Sequence, residues 1–159
     1  NMKDISAFEK EYQERLRPSK IKALLNCLIE SGKTKEQSGH IAKATVDYEN
    51  CINSALLVKD LQHIALPILQ KAANRLLYIY RKKEDIKNKF RILTLIIEVI
   101  SKFNNESYQN ALVKYPEHRD LIKESIEQHR GLYVDKKLIM QHIRLNKYIS
   151  KLEGLKNNP

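Results

Sequence analysis

Apolar residues recur three and four positions apart in this chain from Ile5 to Leu152, and they alternate over no useful length. Spacings of three and four put side chains on one face of an α-helix, whereas alternation would put them on one face of a strand. The chain is therefore expected to be all-α. Its punctuation agrees, because four glycines and four prolines in 159 residues are too few for the dense turns of a β sandwich. Hydrophobic residues at 42% can form a core, and charged residues at 30% can solvate the outside.

The stripes divide the chain into elements. Ile5, Phe8, Tyr12 and Leu16 mark a first helix over 4–16, which Pro18 is expected to end. Ser19 can cap a second, carrying Ile21, Leu24, Leu25 and Leu28 as far as Ser31–Gly32. Thr34 and Gln37 have the spacing of a capping box, and Ile41, Ala44, Tyr48, Ile52, Ala55 and Leu56 continue to Lys59. The segment 60–82 carries Leu61, Ile64, Ala65, Ile68, Ala72, Leu76 and Ile79, with a kink or fresh start expected at Pro67.

The segment 85–103 is the most apolar. Ile86, Phe90, Leu93, Ile97 and Ile100 form its stripe, and Ile92, Leu95, Ile96, Val99 and Phe103 widen it. So wide an arc predicts the central, most buried helix, with Leu93, Ile97 and Ile100 nearly inaccessible. Asn104–Asn105 reads as a break. A short helix at 106–114 follows, then one from Pro116 to Gly131. A last helix at about 135–153 starts at Asp135, runs through Leu138, His142, Leu145, Ile149 and Leu152, and stops at Gly154. The expected architecture is seven or eight antiparallel helices, stacked as hairpins or as an irregular bundle in a single domain, 1–159. Leu76–Ile97 reads as a helix–turn–helix with no second copy in the chain, so no repeat family is assigned.

The formal charge of +10 suits nucleic acid, an acidic protein or an anionic membrane surface, and equally suits plain solubility. It is unevenly spread. Residues 61–91 hold eight basic and two acidic groups, net +6, and residues 133–159 hold six and two, net +4. Lys71, Arg75, Tyr78 and Lys82 fall on one helix face, and Lys87 and Arg91 extend the cations into the next helix. Lys137, Arg144, Tyr148 and Lys151 make a second stripe. Cations can bind phosphates, and an interleaved aromatic ring can stack on a base. The same faces must be polar in any amphipathic helix.

Catalytic and metal chemistry finds no assembled motif. His40, His63, His118, His129 and His142 are scattered; Asp60 and His63 read as a surface pair, and His142 as a partly buried, hydrogen-bonded residue in the last stripe. There is no His-Glu-x-x-His, Gly-x-Ser-x-Gly or glycine-rich phosphate loop. Cys27 and Cys51 lie in apolar stretches and are expected to be buried reduced thiols. No cofactor or metal is expected. The longest apolar stretch, Ile92–Ile100, contains Thr94 and Glu98 and is far short of the ~20 residues that span a bilayer. No secretory leader is read in Asn1–Asp4, so the cytoplasm or nucleus is the expected compartment.

The function expected from these residues is a non-enzymatic helical protein–protein interaction module, a scaffold or adaptor within a larger assembly. Its partner would dock on the last helix through Leu138, Ile139, Ile143, Leu145, Ile149 and Leu152. The alternative is a nucleic-acid-binding domain that uses the basic stripes at 71–91 and 136–151.

Overall fold

A computed structural model of the protein describes residues 2–127 and 136–157. Six α-helices account for nearly all of them: α1 (Met2–Gln37), α2 (Ile41–Leu57), α3 (Gln62–Lys82), α4 (Ile86–Lys114), α5 (Arg119–Glu127) and α6 (Lys136–Asn157). Short 3-10 turns precede α3, at Lys59–Leu61, and α5, at Pro116–His118. The described residues contain no strand. The class is all-α, and the expected seven or eight helices become six because two anticipated breaks do not occur.

The first is at Pro18, which lies inside α1. Proline removes one N–H and crowds the carbonyl four residues back. The carbonyl it crowds belongs to Glu14, which is exposed. Gly32 does not stop the helix either. The helix ends at Gly39, whose positive φ of 79° suits glycine. There the amide of His40 donates to the Lys35 carbonyl at 2.8 Å and that of Gly39 to Glu36 at 3.0 Å. Thr34 and Gln37 thus sit in the last turn of α1 and start nothing; the Thr34 carbonyl accepts from Ser38 Oγ at 3.0 Å.

By its contacts the chain divides into two compact units, Asn1–Lys82 and Lys83–Pro159. In the first, α2 returns along α1. Asp47 reaches Ser31 and Lys35, Cys51 reaches Leu25, and Asp60 reaches Arg17, so that ascending numbers on one side meet descending numbers on the other. Then α3 returns along α2, since Gln62 bonds the Ala55 carbonyl and Tyr80 bonds Glu49. The core of this unit is α3. It buries Ala65, Leu66, Ile68, Leu69, Ala72, Ala73, Leu76 and Ile79, and it runs from Gln62 through Pro67 without a fresh start.

The second unit holds α4, α5 and α6. Asp85 caps α4 by accepting from the Asn88 amide at 3.1 Å. Ile92, Leu93, Ile96 and Ile100 are buried, but Ile97 is only half-buried, and Ile86 and Phe90 are 44% and 42% exposed. The expectation that this is the most buried helix is therefore corrected: among the described helices α3 holds that place. Tyr108, Ala111, Leu112, Tyr115 and Ile143 pack around Ile122, which is fully buried. Pro116 opens the 3-10 turn rather than α5 itself, and Gly154 lies inside α6 rather than ending it. Gly131, Asp135 and His129, and the side chains of Leu138, Ile139 and His142, lie outside the described residues.

Asn104 is the second anticipated break that does not occur. It sits within α4, 4% exposed, and among the described residues neither its side-chain oxygen nor its nitrogen has a hydrogen-bond partner. A buried amide without partners carries its full desolvation penalty. Asn104→Leu is of similar size and removes both unpaired atoms. It should stabilise the Lys83–Pro159 unit by about 1–3 kcal/mol, read as a rise in the urea midpoint. A lowered midpoint would mean that the amide is satisfied in solution.

Candidate interaction surfaces

The carboxyl-terminal half of α1 is fastened to its unit by two polar clusters. The Glu36 carboxylate accepts from the Tyr48 hydroxyl at 2.6 Å and from the forked Arg75 guanidinium, whose Nε lies at 2.9 Å. The Arg75 hydrogen bonds hold Glu36 below the ordinary glutamate value, against the opposing effect of burial. Burial and then Glu36 push the Tyr48 hydroxyl up. In the second cluster Asp47 accepts from Ser31 at 2.6 Å and from Lys35 at 2.7 Å. Burial pushes Asp47 up, but these two partners outweigh it and leave the carboxyl below its usual value. Cys51 is buried and its thiol is pushed up to about 11, which suits an inert core residue. Cys27, in contrast to the sequence expectation, is exposed.

The amino-terminal half of α1 is different. Past Leu16 toward the amino terminus, residues 4–15 are all exposed, yet they keep an apolar stripe. Ile5 is 66% exposed, Phe8 64% and Tyr12 49%. Helix register puts Glu9 on one flank of that stripe and Asp4 and Glu11 on the other, with Lys10 on the far side. Over the exposed residues 4–15 there are four carboxylates and two cations, Lys10 and Arg15, and helix register puts Arg15 beside Tyr12. The segment is an exposed apolar helix stripe with a rim of mixed charge, on the half of α1 away from the fastened part. The spacing of Ile5, Phe8, Tyr12 and Leu16 predicts an amphipathic helix and does not by itself say what the stripe faces. The distinguishing signal is width: the stripe has about one residue per turn, whereas the buried arc of α3 is broad.

The basic stripes are placed as follows. On α3, Lys71 and Lys82 are exposed and Tyr78 is 41% exposed. The charges of Arg75, Arg81 and Lys82 lie 4.8, 5.5 and 5.6 Å from the Tyr78 ring centroid. Arg75 also holds Glu36, so part of its charge is neutralised within the fold. On α4, Lys87 and Arg91 are exposed, and Arg91 Nε donates to Asn88 Oδ1 at 3.1 Å. On α6, Arg144 and Lys151 are exposed, but the Tyr148 ring is packed at 5% exposure with the Lys151 ammonium 5.6 Å from its centroid. The side chain of Lys137 lies outside the described residues.

Part of the described apolar stripe of α6 is engaged in its own unit. Ile143 packs around Ile122, and Leu145, Ile149 and Leu152 are half-buried. Asp60 pairs with Arg17 instead of His63, which is exposed. Among the described residues no group of three or more His, Cys, Asp or Glu side chains is placed to hold a metal ion, and no helix is long and apolar enough to cross a membrane. Comparison with protein-family models, with curated proteins and with solved structures finds no match to this chain.

Proposed function

We propose that this chain is a non-enzymatic helical protein–protein interaction module, a scaffold or adaptor whose docking element is the amino-terminal half of α1. The observation that carries this reading is the apolar stripe Ile5–Phe8–Tyr12, left uncovered on a helix whose other half is tied down. A free helix of roughly four turns is only marginally stable in water, so a partner that covers the stripe also stabilises the helix. An amphipathic helix laid into an apolar groove is a common mode of recognition. The docking site moves accordingly from α6, where the sequence reading put it, to α1.

A second reading rests on the ring of cations around Tyr78. An exposed aromatic ring with Arg81 and Lys82 beside it suits a phosphate backbone and a stacked base. Affinity capture from native cell extract, with and without nuclease, separates the two. The interaction module retains protein partners after nuclease treatment and loses them in the Phe8→Asp, Tyr12→Asp variant. Capture of nucleic acid that depends on Lys71, Arg81 and Lys82, with no protein lost in the α1 variant, would overturn it in favour of the second reading.

A further inference from the structure

We draw no further inference here: the strongest candidate, the surface patch that Ile5, Phe8 and Tyr12 form on the amino-terminal half of α1, belongs to the docking site already proposed, its rim is of mixed charge, and nothing in the structure shows what covers it.

Discussion

Leu76→Ala should lower the stability of the Asn1–Lys82 unit by about 2–5 kcal/mol, the range for a large aliphatic side chain truncated in a packed core. Leu76 is fully buried near the middle of α3, on the helix that supplies most of the enclosed apolar surface of its unit. The loss has two parts, the transfer of the removed methyl groups and the cavity left where the neighbours cannot close in. Ile97→Ala on α4 provides the contrast. Sequence width alone would make Ile97 a core residue, but it is half-buried, so its truncation should cost clearly less than that of its fully buried neighbour Ile96. Urea unfolding of the three variants reads the order directly. Equal losses at Leu76 and Ile97 would show that the burial described for α4 is wrong.

Gly32→Ala should destabilise the same unit by about 1–3 kcal/mol, although alanine is the better helix former by about 1 kcal/mol. The reason is space. A Cβ at position 32 would lie 2.6, 2.8 and 2.9 Å from three atoms of the Tyr48 ring. Those are ring atoms of a fully buried side chain, and its hydroxyl is held by Glu36. The ring cannot swing aside as the end of a flexible chain would. Either α1 and α2 must separate or the ring must leave its hydrogen bond. Adding Tyr48→Leu removes the clashing atoms, so the double variant should lose less than the sum of the two single changes. A stabilising Gly32→Ala would mean that α1 and α2 are further apart than described.

The same two residues show what the sequence could and could not disclose. Gly32 looked like a helix terminator because glycine is common there, and its neighbour Ser31 strengthened the impression. In the fold both serve contacts to α2: Ser31 donates to Asp47, and Gly32 makes room for Tyr48. Local propensity cannot reveal a residue selected by a partner 16 positions away. Helical periodicity, by contrast, is set by which positions share a face, and Ala65, Ile68, Ala72, Leu76 and Ile79 of its α3 stripe are all buried, although the buried arc is wider and also takes in Leu66, Leu69 and Ala73. The Asn104 assignment failed because the wide stripe of α4 carries the helix past a poor helix former that has no partner among the described residues. The docking surface proposed on α1 was not legible for a further reason. A narrow stripe and a core-facing stripe share one period, and only the packing shows that nothing covers Ile5, Phe8 and Tyr12.

A photo-crosslinking residue placed at position 8 of the full chain, compared with the same residue at Leu57, tests the docking role of α1 most directly. Both positions carry large exposed apolar side chains, Phe8 at 64% and Leu57 at 81%, but only Phe8 belongs to the α1 stripe. The account predicts a discrete protein adduct from position 8 and none from position 57. The adduct should disappear when Tyr12→Asp is added. No adduct from position 8, or equal adducts from both positions, would contradict it.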